Sequence, residues 1–292
     1  MTILHAPAKL NLTLSITGRD EAGYHQLVSL AGFTEFGDNL TISPQDTNAP
    51  HQLSVAGPFA TRLQPDADNL IFKALSLYEE MTGHRSHYHM SLDKRIPLGG
   101  GLGGGSADAA CLLRYLSRND DPALKEALRE ASVTLGADVP ACFDSCLHVM
   151  MAKGEDACDV SPPETLPYVI LTNPGCHADT ASVFAKYKER GQPFQKSDPH
   201  HIAALAERGE WQALLAIGND LTDAACALYP PIKDMLVACQ QIGQEVGEEF
   251  IGSAMTGSGA SGFALLATEE AAKRYHSRLS EQRIWHVMTK LS

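Results

Sequence analysis

Between residues 8 and 17 apolar and polar positions alternate without a break. Leu10, Leu12, Leu14 and Ile16 take one face and Lys9, Asn11, Thr13, Ser15 and Thr17 the other. Period two predicts a half-buried strand with a solvated polar face, on which Lys9 and Asn11 point the same way about 7 Å apart. Apolar runs over 26–43 predict further strands, closed by Gly37-Asp38 and Pro44. Residues 44–66, rich in Pro, Asp, Asn and Gln, predict surface loops around a short strand near Leu53 to Val55. From Asp66–Asp68 the period changes to helical: Leu70, Ile71, Ala74, Leu75, Tyr78 and Met81 form a core-facing stripe that Gly83 closes. A strand near 87–95 follows.

The pattern then stops at Pro97-Leu98-Gly99-Gly100-Gly101-Leu102-Gly103-Gly104-Gly105-Ser106. Glycine costs conformational entropy on folding, so such a density serves backbone shape. Ala107, Ala109, Ala110, Leu112, Leu113 and Leu116 give the next helix its stripe, with Ser106 the expected N-cap. A glycine loop feeding a helix N-terminus offers free N–H groups and the positive end of the macrodipole, a combination that binds phosphate. No lysine follows the glycines, so the P-loop pattern is absent. Gly99, Gly101 and Gly104 match G-x-G-x-x-G, but the acidic partner of a dinucleotide site should end an apolar strand, and Asp120-Asp121 stand in a polar turn.

Asp121-Pro122 open another helix, with Leu124, Leu128 and Ala131 inward and Gly136 as its cap. In Leu135-Gly136-Ala137-Asp138-Val139-Pro140, the aspartate taken alone reads as a cap for the next turn. Leu147–Ala152 predicts a strand with a turn at Lys153-Gly154-Glu155, and the prolines between 159 and 167 suggest a boundary between domains 1–160 and 161–292. Leu166–Thr172 reads as a strand, and His177-Ala178-Asp179-Thr180 open a helix carrying Val183 and Phe184. Residues 192–248 read as helical, with breaks at Gly209, Gly218 and Pro230-Pro231. A second glycine loop, Met255 to Gly262, leads into the strand 263–267; a helix from about Glu269 and a strand near 284–290 end the chain.

Composition narrows the function classes. The chain has 292 residues, 44% apolar and 20% charged, as expected of a globular protein with two lobes. A formal charge of −12 argues against nucleic acid or an anionic membrane as partner, since both want a basic face. Seven scattered cysteines fit reduced thiols in the cytoplasm, and no signal peptide is visible at Met1–His5. Cys142, Cys146 and His148 form no complete zinc set.

The glycine loop with its Pro-x-x-x-Gly-Leu-Gly-Gly-Gly-Ser-Ala-Asp-Ala-Ala pattern resembles the phosphate loop of the GHMP kinases. Ala6-Pro7-Ala8-Lys9-Leu10-Asn11-Leu12, Gly18 and Gly23-Tyr24-His25 look like the amino-terminal signature of the 4-diphosphocytidyl-2-C-methyl-D-erythritol kinases within them. The resemblance implies an α+β fold with a ribosomal-S5-like N-terminal lobe and a ferredoxin-like C-terminal lobe. It implies ATP and Mg²⁺, a cytidine diphosphate-linked polyol as substrate, and a cytoplasmic monomer or homodimer. Pro97, Leu98, Gly99, Gly100, Gly101, Leu102, Gly103, Gly104, Gly105 and Ser106 would wrap the ATP phosphates. Lys9 and Asp138 would be catalytic. Asn11, Tyr24, His25, Thr180 and Phe184 would hold substrate, the tyrosine and histidine at the cytosine. Gly257, Ser258 and Gly259 would line the phosphate site from the second lobe. Three departures stand out: Ala107 where a second serine is frequent, Asp108 in the first helical turn, and an acidic segment around Asp144.

Overall fold

The computed structural model describes residues 1–21, 23–45, 50–63, 68–152 and 156–292. The predicted turn at Lys153-Gly154-Glu155, and parts of the polar stretch 44–66, lie outside them. The chain divides into two compact units, each built from separate stretches. Unit one comprises Met1–Lys9, Phe36–Leu98 and Gly103–Ser145; unit two comprises Leu10–Glu35, Gly99–Leu102 and Cys146–Ser292.

In unit one, β1 (Thr2–Asn11) pairs with β3 (His25–Pro44), which pairs antiparallel with β5 (Tyr88–Asp93) from Asn39↔Asp93 to Pro44↔Tyr88. The edge strand β4 (Gln52–Ala56) joins β5 in parallel. Helix α1 (Leu70–Thr82) packs on α2 (Gly104–Leu116), and α3 (Pro122–Ala131) and α4 (Val139–Asp144) complete the layer. Four residues of the predicted α1 stripe, Ile71, Ala74, Leu75 and Tyr78, are buried, whereas Leu70 in the first turn is half-buried and Met81 in the last turn is exposed. The helix start differs, because the Asn69 side chain accepts from Ile71 N at 3.0 Å and takes the cap expected of Asp66–Asp68. Helix α3 stops at Ala131, and a 3₁₀ turn over Ser132–Thr134 replaces its expected run to Gly136.

In unit two, β2 (Ser15–Arg19) pairs with the first part of β3, which also pairs with β6 (His148–Ala152) and through it β7 (Asp156–Asp159). The predicted strand 8–17 is therefore two strands, and its polar face is not solvated: Lys9, Asn11, Thr13 and Ser15 are all buried. The rest is β8 (Tyr168–Asn173), α5 (Thr180–Glu189), α6 (Pro199–Glu207), α7 (Trp211–Ile217), α8 (Thr222–Leu228), α9 (Pro230–Val246), β9 (Phe250–Met255), β10 (Gly262–Leu266), α10 (Glu269–Leu279) and β11 (Trp285–Lys290). Residues 192–198, expected to be helical, form neither helix nor strand before α6.

The strands β8 to β11 form an antiparallel sheet in the order β11-β8-β10-β9. Strand, helices, two strands, helix and strand in this order is the ferredoxin-like arrangement the resemblance implies. One face is sealed by α9 and α10, where Met235, Cys239, Ile242, Ala271, Ala272, Tyr275 and Leu279 pack on Ile170, Ala264 and Leu266. The fold is α+β throughout.

Candidate active site

Lys9 enters unit one on β1 between apolar neighbours and is 2% exposed. A Cβ built on Gly103, where φ is +62°, would lie 3.1 Å from Lys9 Cβ, so the loop backbone covers the lysine stem. The ammonium ends on Asp138: Lys9 Nζ donates to Asp138 Oδ1 at 2.6 Å, across 129 residues of chain. Asp138 does occupy the cap position of α4, but its side chain makes no capping bond. The capping alternative is thereby answered: the carboxylate is turned to the lysine and remains 38% exposed. Arg114 Nη1 braces the far end of α4, donating to the carbonyls of Cys142 and Phe143 and to Ser145 Oγ. A partly open carboxylate held by a buried ammonium can take a proton from a hydroxyl while the cation meets developing negative charge.

The glycine loop has positive φ at Gly99, Gly101 and Gly103. Such alternation turns successive N–H groups to one side, an anion-binding concavity. Helix α2 starts at Gly104 with Gly103 as its cap, and Ser106 lies inside the first turn and is not the N-cap. The cap residue Gly103 has no side chain to consume the first N–H groups of α2, which leaves them available to a ligand. Ser106 Oγ lies 3.9 Å from where a Cβ on Gly136 would stand, on the approach to Asp138.

In unit two the second glycine loop is pinned from several sides. Asn219 Nδ2 donates to the carbonyls of Met255 and Gly257 at 3.1 and 2.9 Å. Thr256 Oγ1 accepts from Asn11 N at 2.8 Å, and Ser261 N donates to Gly100 O at 2.9 Å. The Asn11 side chain donates to Ser29 Oγ at 2.7 Å, and a Cβ on Gly257 would lie 3.5 Å from Asn11 Oδ1. Thr180 Oγ1 and Ser258 Oγ are 2.8 Å apart. A Cβ on Gly99, where φ is +62°, would fall 1.8 Å from Nδ1 of the exposed His177, so a side chain here would strain the backbone and displace that ring.

His25 and Phe184 are brought together as stacked rings, centroids 5.0 Å apart and 29° between planes, with Tyr187 edge-on at 5.9 Å. Phe184 therefore packs against the core of unit two and stacks on the His25 ring. Burial, then the charges of Arg19 and Lys188, lower the His25 pKa. Tyr24 is 64% exposed.

A buried charge cluster escaped the sequence reading. Lys94 Nζ donates to Asp38 Oδ2 at 2.6 Å and to Asp108 Oδ2 at 2.7 Å. Asp38 Oδ1 also accepts from the N–H groups of Arg95 and Ile96 at 2.5 and 2.8 Å. Asp108 Oδ1 has no hydrogen-bond partner among the described residues. A Cβ on Gly104 would lie 2.9 Å from Lys94 Nζ, so the cluster lies directly against the start of α2. Burial raises the Asp108 pKa to about 7 against the pull of Lys94, with Asp38 adding to the rise. Burial works against the Lys94 ammonium, but Asp108 and Asp38 overcome it and raise its pKa. The Asp108 carboxylate is thus turned into the protein and not toward the loop's N–H groups. Thr256 and Asn219 were also missed as loop anchors, although the Asn219-Asp220-Leu221 turn is a visible polar break between apolar helices.

Family profiles match two stretches: GHMP kinases N terminal domain over residues 69–145, and GHMP kinases C terminal over residues 202–283. A 4-diphosphocytidyl-2-C-methyl-D-erythritol kinase of Paramagnetospirillum magneticum is 38% identical over 94% of this chain and 93% of its own. One of the same description from Methylobacterium radiotolerans is 39% identical over 94% and 93%. Among solved structures, a 4-(cytidine 5'-diphospho)-2C-methyl-D-erythritol kinase superposes with a TM-score of 0.74 at 29% identity, covering 99% of both chains. A homoserine kinase of Cytophaga hutchinsonii, 17% identical with a TM-score of 0.69, shares the fold.

Proposed function

The chain belongs to the GHMP kinases, which use ATP as phosphate donor, and on that premise we propose that it phosphorylates the 2-hydroxyl of 4-diphosphocytidyl-2-C-methyl-D-erythritol. This is a step of the non-mevalonate route to isoprenoid precursors. The observation that carries the reading is the Lys9–Asp138 pair at 2.6 Å, in a chain that also has the Gly23-Tyr24-His25 signature.

Phosphoryl transfer needs positioning and charge neutralisation more than covalent chemistry. Asp138 accepts the proton of the attacking hydroxyl. Lys9 holds that carboxylate and stabilises charge on the transferring group. The N–H groups from Gly99 to Ser106 cradle the ATP phosphates, and Pro97 and Leu98 lead the chain into that turn. Asn11 orients the reacting oxygens, with Thr180, Gly257, Ser258 and Gly259 on the phosphate side. Tyr24, His25 and Phe184 hold the cytosine. When bound with ATP, Mg²⁺ would supply neutralisation of phosphate charge. Among the described residues no group of three His, Cys, Asp or Glu forms a resident cage. The Ser106 hydroxyl would be the protein group that holds Mg²⁺ beside the phosphates, since the ion keeps waters and few protein ligands. No described helix is long and apolar enough to cross a membrane. A cytoplasmic monomer or homodimer is part of the same proposal.

The test is ADP release from Mg-ATP with 4-diphosphocytidyl-2-C-methyl-D-erythritol, beside homoserine, mevalonate and galactose. Turnover confined to the cytidine substrate supports the reading; turnover of another alcohol refutes the cytosine pocket. Asp138→Asn and Lys9→Met should each lower kcat by about 10²–10⁴ in a folded protein. Near-normal kcat in either would refute the assignment.

A further inference from the structure

Arg19 on β2 stands opposite His25 on β3 in the antiparallel register, so the two side chains share one side of the sheet. Arg19 Nε donates to His25 Nε2 at 3.1 Å. A guanidinium has only donors and stays protonated. The ring nitrogen facing it must therefore be an acceptor, and a neutral imidazole then carries its one proton on Nδ1. One further contact holds Arg19 in place. Its guanidinium carbon lies 5.9 Å from the Phe194 ring centroid, and Gln195 N donates to Ile16 O at 2.9 Å, tying the 192–198 connection to β2. Phe184, stacked on the imidazole, and Tyr187, edge-on to it, fix the ring plane. Burial, Arg19 and Lys188 all favour the neutral ring.

We propose that Arg19 is a positioning residue that fixes His25 as an Nδ1–H donor, so that the Phe184-walled site selects a pyrimidine whose ring N3 is an acceptor. Cytosine N3 is an acceptor; uracil N3 carries a hydrogen and meets this donor with another donor. The inference rests on the cytidine-substrate reading and adds what makes the site read cytosine and not uracil. Phe184 stacks equally on either base, so discrimination falls to the hydrogen bond, and the tautomer decides its direction.

The experiment has two arms. Long-range ¹H–¹⁵N spectra of the histidine rings in the full chain should place the His25 proton on Nδ1. They should place it on Nε2, the form that unrestrained imidazoles favour, in Arg19→Met, and restore it to Nδ1 in Arg19→Lys, whose ammonium is also donor-only. In kinetics, the ratio of kcat/KM for the cytidine substrate to that for its uridine counterpart should fall about tenfold or more in Arg19→Met, the weight of one hydrogen bond, with KM for ATP unchanged. Arg19→Lys should keep the ratio. A wild-type proton on Nε2, an Nδ1 proton that survives in Arg19→Met, or an unchanged ratio overturns the proposal. If wild type turns over neither nucleotide, the kinase reading fails. The spectra, with the ratio of binding constants for cytidine 5'-diphosphate and uridine 5'-diphosphate in the same three proteins, then decide the role of Arg19 by the same criteria.

Discussion

Replacing Asp108 by asparagine should make the protein progressively more stable than wild type as pH rises. Removing one member of a buried ion pair ordinarily destabilises by about 3–5 kcal/mol, because the partner charge is left alone. Here the partner is not left alone. Lys94 keeps Asp38, whose second oxygen is held by two backbone N–H groups. Asp108 is the surplus carboxylate, with one oxygen unpartnered and its pKa raised from 3.8 to about 7. A raised acid pKa means that the folded state binds the proton more tightly than the unfolded one. Its contribution is full below pH 3.8 and is lost as pH rises toward 7. Asparagine resembles the protonated acid and does not titrate. Between pH 5 and pH 8 the two curves should therefore diverge by about 3 kcal/mol in favour of the variant. Urea denaturation of both proteins at pH 5, 6, 7 and 8 measures this directly. A difference that does not change with pH would refute the raised pKa, and a constant loss of about 3–5 kcal/mol would show that Lys94 needs both carboxylates.

Lys94→Met should destabilise by about 3–5 kcal/mol, since it strands two buried carboxylates, and the loss should shrink at low pH; Lys273→Met, at an exposed pair with Glu269, should barely move the melting temperature. Gly101→Ala combines φ of +72° with a Cβ 2.7 Å from the carbonyl oxygens of Gly259 and Thr256. About 1–3 kcal/mol of strain should appear as a raised KM for ATP, seen beside an unchanged circular dichroism spectrum. Tyr24→Ala should raise KM for the cytidine substrate far more than KM for ATP, and equal rises would mark a structural role.

Where an element buries one face, its residues were legible from spacing alone: the α1 stripe of Ile71, Ala74, Leu75 and Tyr78 is an example. The polar face of 8–17 was misread because alternation says which residues share a side, not what covers it. Its cover comes from far along the chain. Leu30 N donates to Thr13 Oγ1, and Ser29 Oγ donates to Thr13 O. Such side-chain-to-backbone bonds satisfy buried hydroxyls without any local signature. The start of α2 was misread for a physical reason too: a serine cap would use up an N–H that the loop leaves open. Lys9 and Asp138 came from resemblance, since neither residue is distinctive by spacing. The Lys94 cluster had no signal, because a lysine at a strand end ordinarily reads as solvated.

The separation of 129 positions between Lys9 and Asp138 also sets a schedule for synthesis. At about 5–20 residues per second, the lysine is made roughly ten seconds before its carboxylate. Burying β1 earlier would enclose an unpaired ammonium, so the first strand translated in unit one is expected to reach its final place only after Asp138 is made. Unit one, assembled from Met1–Lys9, Phe36–Leu98 and Gly103–Ser145, then closes late, once the ribosome has delivered α4.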